Sequence, residues 1–208
     1  MLRKRWLELW ERIHGDLHIA EREYENLVAR YTEPNRFYHT LKHIEWCLDE
    51  LDAVKDLAHD VNAVETALWY HDIVYDTHRS DNEAQSALLA MRVLAEARVP
   101  DDFMLNVRDL ILTTQHTNIP DSWDIDAHLV VDIDLASLGY PFEVFLKNNH
   151  DIRKEYTWVS EDEFRIANSK ILGSFLRREN IYGTEYFRKK YEDKAQGNIK
   201  HLLAMRAV

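Results

Sequence analysis

Residues 2–31 read LRKRWLELWERIHGDLHIAEREYENLVARY. Leu2, Trp6, Leu9, Trp10, Ile13, Leu17, Ala20, Tyr24, Leu27, Val28 and Tyr31 recur every three or four positions, the spacing that gathers side chains on one helix face. Gly15-Asp16 interrupts the run, so two helices are expected. Pro34 closes the second, because it restricts Glu33 to extended backbone. The same period continues through Leu41, Ile44, Leu48, Leu51 and Val54. Composition agrees: five glycines and four prolines in 208 residues leave little material for tight hairpin bends. The reading is an all-α, single-domain bundle of about nine helices spanning 1–208, with a core from about residue 24 to 178 and flanking helices at both ends.

The expected helices run at about 2–14, 17–31, 38–58, 61–74, 81–97, 100–114, 127–138, 160–178 and 184–205. Ser160-Glu161-Asp162-Glu163 reads as a capping box opening the eighth, and Asp81-Asn82-Glu83 as a cap for the fifth. Residues 118–124, with Pro120, read as a loop, and Gly139-Tyr140-Pro141 as a helix stop. The six tryptophans are expected mostly in the core.

Charge narrows the function classes. Thirty-seven acidic against 26 basic residues give a formal net charge of −11, a poor basis for gripping phosphate backbones, so no nucleic-acid partner is expected. No apolar run approaches the ~18 residues of a membrane span, and charges occupy the first positions where a signal peptide needs apolar residues. A cytoplasmic protein with no membrane partner is the expectation. The single Cys47, among Ile44, Leu48 and Leu51, reads as a buried inert thiol.

Eleven histidines stand out, and a few lie in chemically dense surroundings. Trp69-Tyr70-His71-Asp72-Ile73-Val74-Tyr75-Asp76 sets an imidazole and two carboxylates among residues that must face a core. Tyr38-His39-Thr40-Leu41-Lys42-His43 carries imidazoles at i and i+4, on one helix face. Val130-Val131-Asp132-Ile133-Asp134-Leu135 places two carboxylates in an apolar run, unfavourable unless they are paired or bind a cation. His116 ends an amphipathic helix. Imidazoles and carboxylates with open positions suit a divalent ion that polarises a phosphoryl group and activates water.

In chain order, His39, His71-Asp72 and then Asp132 or Asp134 resemble the H…HD…D signature of the HD superfamily of metal-dependent phosphohydrolases, with 32 residues from His39 to His71. The wording of the motifs, with Asp81-Asn82-Glu83, Ser86 and Asp132-Ile133-Asp134-Leu135-Ala136-Ser137-Leu138-Gly139, is similar to one little-characterised bacterial branch of predicted HD phosphohydrolases. The likeness runs from about residue 24 to 198. It implies an HD-type helical domain with His39, His71 and Asp72 as metal ligands and Asp132 or Asp134 as the fourth. The cofactor would be a divalent ion: Mn, Mg, Fe, Ni, Co or Zn. Asp76 falls at the second place of the acidic pair that alarmone hydrolases of the superfamily carry after HD, Tyr75 replacing the first, and is a candidate base. His116 resembles a histidine that some members use for a second metal or a phosphate. Tyr38, His43, Arg153 and Tyr156 are candidate substrate contacts. His43 could equally support the ligand shell, Arg153 could equally close the bundle by a salt bridge, and Asp81 and Glu83 read most simply as helix-capping acids.

The expected activity is hydrolysis of a phosphoester or phosphoanhydride in a nucleotide-like, phosphorylated small molecule. The alternative is a metal-stabilised helical module that binds a nucleotide or a protein without cleaving it. Oligomeric state stays open, a homo-oligomer included.

Overall fold

A computed structural model describes residues 1–116 and 124–206. Among these there are ten α-helices and no strand: α1 Leu2–Arg12, α2 Leu17–Tyr31, α3 Leu41–Val54, α4 Val61–Tyr70, α5 Asn82–Glu96, α6 Asp101–Thr113, α7 Ile125–Asp134, α8 Phe142–Glu155, α9 Glu161–Phe175 and α10 Glu185–Arg206. Short 3-10 turns follow α3 and α7. No helix among the described residues is long and apolar enough to cross a membrane.

The organising element is α4. Eight of its ten residues, Ala63 to Tyr70, are buried, the pattern of a helix enclosed on all sides. It packs against α1, α3, α5, α6 and α7. On the α1 side, Trp6 lies with its ring centroid 5.3 Å from those of Trp10 and Trp69 and donates its indole N–H to Ala20 O at 2.8 Å. The buried Glu65 carboxylate of α4 is satisfied by Arg5 at 2.8 Å and Arg12 at 2.5 Å. Helices α8, α9 and α10 form a second group, joined to the first where α10 packs on the 3-10 turn Leu135–Gly139. At Gly139 the approach is so close that a Cβ would fall 2.5 Å from Tyr191 Cβ, which makes the absence of a side chain there a packing requirement.

Several boundaries differ from expectation, each for a local reason. The fourth helix stops at Tyr70, and residues 71–76 turn out of it, which moves His71 and Asp72 from a helix interior to a helix end. Asp81 makes no side-chain cap; its carboxylate pairs with Arg79 at 2.7 Å instead. The capping box at Ser160 and Glu163 is present in both directions. Helix α8 was not among the nine expected. Its N-terminus is Pro141 with no side-chain cap, and its sequence FEVFLKNNHDIRKE has only a sparse apolar face. Trp6, Trp10 and Trp69 are in the core while Trp158 is 54% exposed. Residues 118–123 of the expected loop lie outside the described residues.

The chain end of α4 is fastened by Arg36. Its guanidinium, almost fully buried, donates to Asp72 O at 2.6 Å, Ile73 O at 3.0 Å and His39 O at 3.2 Å, and stacks over Tyr31 at 5.0 Å. A cation at the carbonyl end of a helix also meets the favourable end of its dipole. Replacing it with methionine keeps the volume and leaves three carbonyls short of a donor. Arg36→Met is expected to lower unfolding stability by about 2–4 kcal/mol, read by urea denaturation; an unchanged midpoint would contradict this role.

Candidate metal centre and cleft

Four donor-bearing side chains, His43, Cys47, His71 and Asp134, bring one ligand atom each within 4.8 Å of one another, and Asp72 joins them. His43 stands in the first turn of α3, which Thr40 caps through Lys42 N–H. His71 and Asp72 leave the end of α4, and Asp134 ends α7. His43 Nε2 is 3.1 Å from His71 Nε2 and 3.2 Å from Asp134 Oδ1; His71 Nε2 is 3.0 Å from Asp72 Oδ2 and 3.4 Å from Asp134 Oδ1. Cys47, one helical turn after His43, puts Sγ 3.7 Å from His43 Nε2.

Proton bookkeeping shows what this set accommodates. His71 Nδ1 donates to Leu68 O at 2.9 Å, so in the neutral ring Nε2 carries a lone pair. That lone pair faces two carboxylates and a second imidazole nitrogen. Either the ring takes an extra proton, or a cation sits among the lone pairs and carboxylate oxygens. The electrostatics point the same way. Burial works against a charged His71, yet Asp72 and Asp134 hold its pKa well above the usual histidine range. Burial would raise Asp72 and Asp134, but His71 and its neighbouring histidines hold both well below the usual carboxylate range. The donor set therefore fits a divalent ion, and its imidazoles and thiol favour a transition metal over Mg²⁺.

His39 approaches from the segment before α3. Glu155, at the end of α8, accepts N–H bonds from Phe37 and Tyr38 at 2.7 Å and His39 at 3.0 Å through Oε1, and meets His39 Nδ1 at 2.7 Å through Oε2. Burial favours the neutral acid, but the His39 ring and these N–H groups keep the Glu155 pKa below its ordinary value. A carboxylate holding Nδ1 leaves the outer nitrogen as the lone-pair side, the arrangement found behind metal-bound histidines. Tyr75 stacks on the His39 ring at 4.1 Å. Burial opposes charge on His39, while Asp72, Glu155 and Asp134 raise its pKa.

A cleft of about 670 Å³ opens over this cluster, and His39, Asp72, Asp134, His116 and Glu83 are among the residues that line it. His116 lines it in a left-handed conformation, φ 54°, with Nε2 2.9 Å from Asp134 Oδ2 and its carbonyl accepting from Arg178 at 2.7 Å. Such a backbone costs a non-glycine residue roughly 1–2 kcal/mol, which the Arg178 and Asp134 contacts offset. Burial pushes the Glu83 carboxyl above its ordinary pKa, and Asp72 and Asp134 add to the shift.

Several expected roles change. Asp132 faces away from the cluster: its carboxylate accepts from Gly183 N at 2.7 Å, Thr184 N at 2.8 Å and Thr184 Oγ1 at 2.7 Å. Residues two apart on a helix point about 200° apart, so only one of the two acids can face the site. Burial raises Asp132 to about 6 despite those bonds. Asp76 is outside the cleft, its carboxylate closing a turn on His78 N at 2.9 Å. Arg153 braces the α8–α9 junction through Glu161, Tyr156 O and Val159 O. His43 lies among the buried donors and not on the cleft wall. Tyr38, whose hydroxyl meets Ser137 Oγ at 2.8 Å, and Tyr156 do line the cleft.

No family model matches the chain, and no curated protein or solved structure matches it either. The site therefore stands on its own geometry.

Separating the two acids gives a direct check. Asp132→Ala is expected to destabilise the fold by about 2–4 kcal/mol by stranding three donors while folded protein keeps its metal content. Asp134→Ala is expected to abolish metal retention with a smaller effect on melting of the metal-free form. Equal metal loss in both variants would contradict the assignment.

Proposed function

We propose that the chain is an HD-type, metal-dependent phosphohydrolase acting on a phosphorylated small molecule. One observation carries the reading: His43, His71, Asp72 and Asp134, brought from α3, the end of α4 and the end of α7, meet beneath one cleft that His39, Asp72 and Asp134 line. The ligand set proposed is His43, His71, Asp72 and Asp134, with His39 completing it from the cleft side. A divalent ion held there would supply Lewis-acid polarisation of a phosphoryl oxygen and lower the pKa of water so that hydroxide is available as the nucleophile.

The chain's own residues supply the rest. Glu155 and Leu68 O fix the tautomers of His39 and His71, so each keeps its lone pair toward the site. His116, anchored by Arg178 through its carbonyl, lines the cleft and holds the Asp134 carboxylate through Nε2. Glu83 is proposed in the role that Asp76 was expected to fill: it is a carboxyl on the cleft wall outside the proposed ligand set, and its raised pKa suits it to hold a proton for the leaving oxygen.

Purified protein is expected to carry stoichiometric transition metal and to release phosphate from members of a phosphoester panel. His71→Ala should stay folded by circular dichroism and lose the metal. A metal-free native protein whose activity no added ion restores would overturn the proposal. Nucleotide retained in a thermal-shift assay without phosphate release would favour the non-hydrolysing module. Glu83→Gln is expected to lower kcat by about 10²-fold or more with little change in KM, whereas Asp76→Asn should change kcat little.

A further inference from the structure

Residues 76–82 form a turn closed on itself. Asp76 N donates to Asn82 Oδ1 at 3.1 Å, and Asn82 Nδ2 donates back to Asp76 O at 2.9 Å. The Asp76 carboxylate and carbonyl also take the N–H groups of His78 at 2.9 Å and Arg79 at 3.0 Å, and Arg79 pairs with Asp81. A segment whose polar groups are satisfied internally keeps its shape when it moves as a unit. Asp76, His78, Arg79 and Ser80 are exposed, so little burial holds the turn in place.

This turn is part of the cleft wall. Arg79 and Ser80 line the cleft, and so do Ile152 and Tyr156 from the end of α8 and the start of its connection to α9. One exposed side chain bridges the two stretches. Trp158, 54% exposed, donates its indole N–H to Thr77 Oγ1 at 2.8 Å and stacks on the His78 ring at 4.3 Å, with 23° between the planes. Among the described residues this is the one hydrogen bond from residues 76–82 to α8, α9 or the connection between them. The Trp158 side of the bridge is firm, because Arg153 donates to Tyr156 O at 2.7 Å and Val159 O at 2.9 Å, on both sides of Trp158. A braced post therefore holds a self-contained turn through contacts that water can compete for.

We infer that Trp158 is a clasp on the cleft. Closed, it holds the 76–80 turn against the α8–α9 connection; released, it lets that turn swing outward and opens the way to His39 and Asp134. The clasp governs passage of any small molecule or ion to the buried donors, so it goes beyond the hydrolase reading and does not require turnover. A ring stack and one exposed hydrogen bond together bias such an open–closed equilibrium by about three- to ten-fold.

The experiment compares the native protein with Trp158→Ala, Trp158→Phe and Thr77→Val, using diethyl pyrocarbonate as a probe of imidazole access and mass spectrometry to read each site. His39 and His116 report on the cleft that they line, and the exposed His18 and His150 serve as references. In Trp158→Ala, acylation of His39 and His116 is expected to be about three- to ten-fold faster with the references unchanged. Trp158→Phe keeps the stack and Thr77→Val removes only the hydrogen bond, so both should fall between. Withdrawal of bound metal by a chelator should speed up in the same order. If Trp158→Ala fails to fold, Thr77→Val decides, since it removes one exposed bond. Unchanged rates at His39 and His116 in the folded variants, or an equal rise at all four histidines, overturn the inference. A protein that holds no metal would sink the hydrolase reading and leave the acylation rates to judge the clasp.

Discussion

The Arg36 guanidinium binds the carbonyls of His39, Asp72 and Ile73 at once, and the site depends on that bridge. It joins the segment before α3 to the end of α4, two pieces of chain that share no helix and no cap. Each carbonyl it takes would otherwise be an unpaired acceptor in a dry interior. Glu155 does the complementary work from the other side, accepting three backbone N–H groups and the His39 ring. A buried cation gathers carbonyls and a buried anion gathers N–H groups. Between them they fix a stretch of irregular backbone that no regular hydrogen-bond ladder could hold.

The proposed function also asks how so acidic a chain could accept a phosphate. Asp72 and Asp134 are ionised because histidines surround them, and His39 and His71 are basic because those carboxylates face them. The group as a whole is a receptor for positive charge. An ion seated there reverses the sign of the local field at the cleft floor, while Arg79 at the rim stays paired with Asp81. On the proposed reading a negative surface and an anion site would then be compatible, because the attraction would be confined to the ion.

Much of the helical plan could be read from residue spacing, since α1, α2 and α3 carry unbroken apolar stripes and α9 carries both halves of a capping box. Helix α8 could not be read so: Pro141 gives a weak start, and its Asn148, Asn149 and Glu155 look like surface residues until α9, α10 and the 36–40 segment cover them. The spacings of His43, His71-Asp72 and the Asp132/Asp134 pair pointed to residues of which the fold brings His43, His71, Asp72 and Asp134 together. They did not tell Asp132 from Asp134, because helix phase within α7 depends on where the helix begins. Nor did they show that His43, one turn below His39, would be the more deeply buried of the two. Glu83 read as a capping acid because its distance from His116 and Asp134 is a property of the fold, absent from the order of residues. Cys47 was legible as buried, but not as a neighbour of His43 Nε2, although the i, i+4 spacing held that signal.

The central claim is that one cation belongs among these side chains. An anomalous-difference map from crystals of the protein as purified, recorded on either side of the absorption edge of the metal found by elemental analysis, tests it most directly. The account predicts a single strong peak between His43 Nε2, His71 Nε2, Asp72 and Asp134, within bonding distance of His39 or open toward it. A map with no peak there after loading with Mn²⁺, Fe²⁺, Co²⁺, Ni²⁺ and Zn²⁺ in turn, or with the ion bound elsewhere, would contradict it.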